Sequence, residues 1–292
     1  MWISDKWVEY ELIDCSGGER LERWGDYILI RPDPQVIWET PKEHTGWYTA
    51  DARYIRSSTG GGQWKNAKTP NDWQLKYDFG AESGFDCLKF HIRLMNFKHT
   101  GIFPEQAANW EFITKKIREA SRENREINVL NLFAYTGAAT LAAAAAGANV
   151  CHVDAAKGMV ARARDNAVLS GLGDKSIRWI VDDCVKFVER EIRRGRKYDA
   201  LIMDPPSYGR GPSGEVWKLE DELYRFAVLC SEVLSENPLF VLINSYTTGL
   251  SPSTLTYIAK SVFGMNAESR ELGLPVTTSG LYLPCGSTCR AC

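Results

Sequence analysis

The chain has 292 residues, enough for one large or two ordinary domains. Apolar residues make up 44% and charged residues 25%, and the formal charge is −2, so this is globular composition without a general basic coat for nucleic acid. No apolar run nears the ~20 residues of a membrane span. The opening residues lack a signal-peptide pattern, and eight scattered cysteines read as reduced thiols of a cytoplasmic protein.

The first ~95 residues have a texture of their own, which is a domain signal. Seven of the ten tryptophans lie there, at 2, 7, 24, 38, 47, 64 and 73. β-type runs such as Tyr27–Arg31 and Leu88–Leu94 alternate with turn signals at Gly17-Gly18, Pro32-Asp33-Pro34, Gly60-Gly61-Gly62 and Pro70-Asn71-Asp72. The expectation is a small β-rich N-terminal domain over residues 1–98. Within it Arg53, Arg56, Lys65 and Lys68, with Tyr54 and Trp64, read either as a loop that tracks phosphates and stacks a base, or as a solvated loop.

From about Pro104 strands and helices alternate, the pattern of right-handed βαβ units and a parallel sheet. Helical spacing spans Trp110–Ala120. Apolar segments recur at Ile127–Leu132, Asn149–Val153, Ile177–Val181, Ala200–Met203 and Leu239–Ile243. Between them lie helical stretches at Ala138–Ala146, Lys157–Leu169, Cys184–Arg193 and Asp221–Leu234. Arg270–Leu274 and Leu281–Pro284 read as a terminal hairpin.

Ligands of open parallel sheets bind beyond the carboxyl ends of the strands. The notable residues fall there. The first strand runs into Phe133-Ala134-Tyr135-Thr136-Gly137, where Gly137 permits close backbone approach before a helix of almost pure alanine. Asp154 ends the second strand, where an acceptor-only carboxylate suits two ribose hydroxyls. Asp183 follows the third and reads as an acceptor for an adenine amino group or as a helix N-cap. Asp204-Pro205-Pro206 ends the fourth; its prolines fix φ and leave carbonyls free to accept. Tyr208 follows, a ring that could stack on a flat base. A dehydrogenase would need G-x-G-x-x-G, and the single glycine here supplies no pyrophosphate cradle. The set points to a group-transfer enzyme using S-adenosylmethionine.

On these motifs, with Asn166 on the helix after Asp154, residues ~100–284 resemble the class I S-adenosylmethionine-dependent methyltransferases. Within them they are similar to the large-subunit ribosomal RNA methyltransferases that make 5-methylcytosine or 7-methylguanosine. The resemblance implies a Rossmann-like, seven-stranded α/β domain, here residues 99–292, with ribosomal RNA as partner. It also implies that Thr100-Gly101-Ile102-Phe103-Pro104-Glu105-Gln106 sets Phe103 and Gln106 against the cofactor, with Phe133, Tyr135, Thr136, Gly137, Asp154 and Asp183. Asp204, Pro205, Pro206 and Tyr208 would position the base.

In the resembling family the 5-methylcytosine enzymes attack C6 with a cysteine of the fourth or sixth motif, because C5 is not nucleophilic without that adduct. Here those positions read Asp204-Pro205-Pro206-Ser207 and Asn244-Ser245-Tyr246, without cysteine. A ring or exocyclic nitrogen is therefore the expected target, held in line with the sulfonium methyl. Rival readings are the same fold acting on a small molecule or protein, and an RNA-binding module without activity. No metal is expected: Cys285, Cys289 and Cys292 have iron–sulfur spacing but are read as a frayed terminus. Gly209–Lys218 reads as a flexible lid. The four histidines show no ligand spacing, and the oligomeric state is left open.

Overall fold

The structure is a computed structural model that describes residues 1–57, 61–80, 85–95, 97–123, 125–210 and 216–292. The chain forms two compact units, the first from residues 1–108 and 272–285, the second from residues 109–271 and 286–292. The sequence expectation cuts the chain once, at 98/99; in the structure residues 272–285 belong with the N-terminal unit.

The first unit is β-rich. It contains β1 (Trp2–Ile3), β2 (Tyr10–Ser16), β3 (Glu19–Trp24), β4 (Tyr27–Pro32), the single turn α1 (Gly46–Thr49), β5 (Ala52–Arg56), β6 (Gly62–Lys65), β7 (Trp73–Asp78) and β8 (Cys87–Ile92). Strands β2 to β6 form one sheet and β7 pairs with β8. The Gly17-Gly18 turn closes the β2–β3 hairpin with both glycines at positive φ, as a tight reversal requires. The basic aromatic segment is the β5–β6 hairpin, with residues 58–60 outside the described residues. Its rings are consumed by the fold, which corrects the stacking expectation. Tyr54 is buried, Trp64 lies edge-on to it at 5.4 Å and donates its indole N–H to the Met95 carbonyl, and Arg53 is clamped by Glu19.

The second unit takes in α2 (Ala107–Ser121) from Asn109 onward, then β9 (Asn128–Leu132), α3 (Ala138–Ala145), β10 (Asn149–Asp154), α4 (Lys157–Leu169), β11 (Ile177–Val181), α5 (Cys184–Arg193), β12 (Ala200–Met203), β13 (Tyr208–Arg210), β14 (Val216–Lys218), α6 (Leu219–Ser231), β15 (Phe240–Ser245) and α7 (Pro252–Phe263). It closes with the adjoining parts of β16 (Ala267–Pro275) and β17 (Tyr282–Ala291). Its sheet runs β11-β10-β9-β12-β15-β17-β16. The first five strands are parallel and β17 is antiparallel to β15. These seven strands make the α/β sheet that the resemblance implies, and β1 adds an eighth, parallel to β16 at the edge.

Both faces of the sheet are covered, so its strands are apolar throughout rather than alternating. Val129 and Ile202 pack against Ile113 and Ile117 of α2 and Ala143 and Ala144 of α3. Leu130, Leu201 and Val241 pack against Phe187 of α5, Phe226 of α6 and Leu255 of α7 on the other side. Burying each such side chain contributes about 1.5–3 kcal/mol of hydrophobic stabilisation. Helix α7 and the length of β17 go beyond the sequence expectation. Ser251 caps α7 by accepting from Ser253 N–H, with Pro252 in the first turn. The cysteine-rich end is not frayed: it is β17, in register with β15 from Ser287 to Ala291.

Candidate functional site

Chain order turns back between β9 and β12. From β9 the sheet grows through β10 to β11 on one side, and through β12 to β15 on the other. That switch point opens a crevice at the carboxyl ends of the strands. The loop after β9, Asp154 at the end of β10, Asp183 after β11 and Asp204 after β12 all lie along this edge.

The loop Phe133–Gly137 alternates its handedness. Phe133, Tyr135 and Gly137 have φ of 56°, 50° and 87°. Bulky residues there carry strain of order 1–3 kcal/mol each and persist only where neighbours fix them. Here the neighbours are specific. Phe133 N–H donates to Cys184 Sγ at 3.3 Å, Ala134 N–H to the Val153 carbonyl at 3.0 Å, and Tyr135 N–H to Asp154 Oδ2 at 2.8 Å. Asn166 on α4 donates to the Thr136 carbonyl at 3.0 Å. Gly137 packs so closely on α4 that a Cβ there would stand 2.8 Å from Ala163 Cβ. Beneath the loop, Asn131 Nδ2 donates to Thr140 Oγ1 at 2.9 Å, and that hydroxyl meets His152 Nδ1 at 2.9 Å. His152 is a core residue, as one of the sequence readings had it. Burial, then Arg164, hold its imidazole neutral, with a pKa pushed down to about 3.

Asp154 holds the loop and keeps capacity for a ligand. Oδ2 accepts from Tyr135 and Oδ1 from Ala156, each at 2.8 Å. An ionised carboxylate has about four lone-pair directions, so each oxygen retains one, a pair suited to two vicinal hydroxyls. Burial raises its pKa, while the two backbone N–H bonds pull the other way. Asp183 is the N-cap of α5: Oδ1 accepts from Lys186 N–H at 3.0 Å. Its second oxygen has no protein partner among the described residues, so capping leaves it one acceptor for an exocyclic amine.

Asp204 follows β12, with its backbone N–H directed to the Leu132 carbonyl at 3.4 Å. Pro205 is buried and Pro206 exposed. The Pro206 carbonyl is not free, as the sequence reading had it: Trp217 Nε1 donates to it at 2.7 Å. Trp217, Phe133 and Phe226 form an aromatic triangle with centroids 5.5–5.7 Å apart, so the Phe133 ring packs into the protein. Ser207 accepts from Thr247 at 2.8 Å, and Tyr208, half exposed, starts β13 opposite Lys218 of β14. Residues 211–215, the centre of the expected lid, lie outside the described residues.

Phe103 and Gln106 lie in the first unit, the one just before the 3-10 turn Pro104–Gln106 and the other its last residue, and their assignment rests on the motif. The roles of Trp217 and Cys184 as partners of Pro206 and Phe133 were not read from the sequence. Cys184 directly follows Asp183, but nothing in the local text marks a thiol as an acceptor for a strained loop. The cysteines of β17 cannot converge on one ion. Cys285 and Cys289 are four residues apart in an extended strand, about 13 Å.

No helix among the described residues is long and apolar enough to cross a membrane. Residues 71–249 match the S-adenosylmethionine-dependent methyltransferase family. A methyltransferase structure from Agrobacterium tumefaciens is 35% identical, with a TM-score of 0.88 over 99% of this chain and 92% of that one. A chain solved with SAH bound is 19% identical, with a TM-score of 0.73 over 98% of this chain and 75% of that one. The ribosomal RNA large subunit methyltransferase K/L of Shewanella loihica is 34% identical over 121 residues, 41% of this chain but only 16% of that protein's length.

Proposed function

We propose, from the premise that this chain belongs to the S-adenosylmethionine-dependent methyltransferase family, that it methylates a base nitrogen in RNA, with large-subunit ribosomal RNA as substrate. S-adenosylmethionine is its cofactor. The RNA assignment draws on the named activity of the Shewanella relative, which is matched over 41% of this chain.

The nitrogen assignment rests on one observation, the state of the thiols. A cysteine nucleophile must be reachable and must ionise. Cys184 is buried, its thiol is pushed far up by burial, and its sulfur is committed to Phe133 N–H. Cys285 is buried too, and its thiol is likewise pushed far up. The turn after β12 offers Asp204, Pro205, Pro206 and Ser207 instead.

When bound, S-adenosylmethionine supplies a sulfonium methyl as electrophile. In this reading Asp154 takes the ribose hydroxyls, Asp183 the adenine amine, and Phe133, Tyr135, Thr136 and Gly137 shape the wall between them. The Asp204 carboxylate accepts an N–H of the target amine and keeps the nitrogen lone pair aimed at the methyl group. The buried ring of Pro205 and the carbonyl–indole bond at Pro206 hold that turn still. Tyr208 offers an exposed face for stacking on the base.

Nucleoside mass spectrometry tests this directly. Ribosomal RNA from cells lacking the enzyme, incubated with the protein and labelled cofactor, is expected to gain an N-methylated base. Labelled 5-methylcytosine would overturn the nitrogen assignment, and no transfer at all would overturn the RNA assignment.

A further inference from the structure

Resting on the RNA reading above, we infer that the outer face of α5 is a backbone track along which the RNA strand leaves the site. The segment Cys184–Lys197 carries six basic residues, Lys186, Arg190, Arg193, Arg194, Arg196 and Lys197, against two acidic ones, Glu189 and Glu191. This is the reverse of the chain as a whole, whose formal charge is −2.

Helical spacing gathers the charge. Lys186, Arg190 and Arg193 stand at i, i+4 and i+7, one stripe on one face. The helix ends at Arg193; Gly195 at positive φ turns the chain, and Arg196 and Lys197 follow in sequence, both exposed. At 1.5 Å per residue the helical part of the stripe spans about 10 Å. It begins one turn from Asp183, at the carboxyl edge of the sheet where the base and cofactor residues gather. A strand whose target base sits at that edge meets this stripe on leaving it.

Part of the stripe is pre-ordered and part is available. Glu191 is fully buried, and it receives Tyr198 O–H at 2.6 Å, Arg194 at 2.9 Å and Arg178 of the edge strand β11 at 3.4 Å. One interior carboxylate thus fixes two guanidinium groups whose side chains are half exposed. Arg190 pairs with Asp182. Arg193, Arg196 and Lys197 are exposed and pair with no carboxylate among the described residues; Lys197 donates instead to the Glu232 carbonyl. Helix-end cations of this kind interact with the macrodipole, but that accounts for residues of the last turn only, not for Lys186, Arg196 and Lys197. Exposed cations along a line can track phosphates, and binding then depends on counterion release.

The test compares ribosomal RNA binding and methylation by the wild-type protein, Arg193→Gln/Arg196→Gln and Glu189→Lys across a salt series. Calorimetry with S-adenosylmethionine serves as the folding control for each. The double variant should bind RNA roughly tenfold more weakly at low salt. Its log–log salt slope should fall by about 1.5, since each phosphate contact is worth about 0.7–0.9. Its KM for RNA should rise while its affinity for S-adenosylmethionine holds. Glu189→Lys, which adds a cation beside the stripe, should tighten binding and steepen the slope. Equal affinities and slopes in all three proteins would overturn the track while leaving RNA methylation standing. A wild-type protein that neither binds nor methylates RNA would remove both.

Discussion

At the scale of single residues, the site depends on backbone conformations that side chains elsewhere hold in place. Gly137 is the sharpest case, since its φ of 87° disfavours an L side chain and a Cβ would press on Ala163 at 2.8 Å. Gly137→Ala is expected to lower stability by about 1–3 kcal/mol, read by urea denaturation. Wild-type stability in that variant would refute the close loop–α4 packing. Gly137 was legible in the sequence because a glycine between a strand and a helix announces a turn. The left-handed backbone of Phe133 and Tyr135 was not, because no local rule places aromatic residues in that region. Their φ values follow from Cys184 and Asp154, which are 51 and 19 residues away. The fourth-strand turn shows the same limit. Asp204-Pro205-Pro206 stood out in the text, but the partner of the Pro206 carbonyl, Trp217, comes from a later strand.

At the scale of elements, periodicity located most of the second unit. Ile177–Val181, Ala200–Met203, Lys157–Leu169 and Cys184–Arg193 have the bounds read from the sequence. Strands buried on both faces are continuous apolar runs, and such runs are hard to misplace. Helix α7 escaped, and β17 was read only as far as Pro284. Helix α7 opens with Ser251-Pro252, a start signal hidden in a run of small polar residues. β17 carries Pro284, Gly286 and, from Cys285 to Arg290, five polar or sulfur residues, which look like a tail until β15 is there to pair with them. The β13–β14 hairpin supports the base-side turn through one indole, so Trp217→Phe keeps the aromatic triangle and deletes the bond to Pro206. That variant is expected to lose roughly tenfold in kcat/KM for RNA, about the 1.4 kcal/mol of one hydrogen bond, with cofactor affinity unchanged. A parallel fall in cofactor affinity would mean that the hairpin supports the whole crevice rather than the substrate side.

At the scale of the whole molecule, cofactor binding and folding are linked. A ligand bound only by the native state adds RT ln(1 + [L]/Kd), about 2.7 kcal/mol at a hundredfold excess over Kd. S-adenosylmethionine should therefore raise the melting temperature of the wild-type protein by several degrees. Asp154→Ala should abolish that rise while remaining folded by circular dichroism; an undiminished rise would remove Asp154 from the cofactor site. The layered architecture behind this linkage was readable from alternating strands and helices. The return of residues 272–285 to the N-terminal unit was not, since contacts across more than 160 residues leave no local trace. The sheet order has a consequence for biosynthesis. β17 is the last of these strands to emerge from a ribosome, yet its place is inside the sheet, between β15 and β16. Until it arrives the nascent domain has two unsatisfied edges facing an empty slot, the condition that invites pairing with other chains. The sheet must therefore close after β16 has been made, by insertion rather than by growth at its rim.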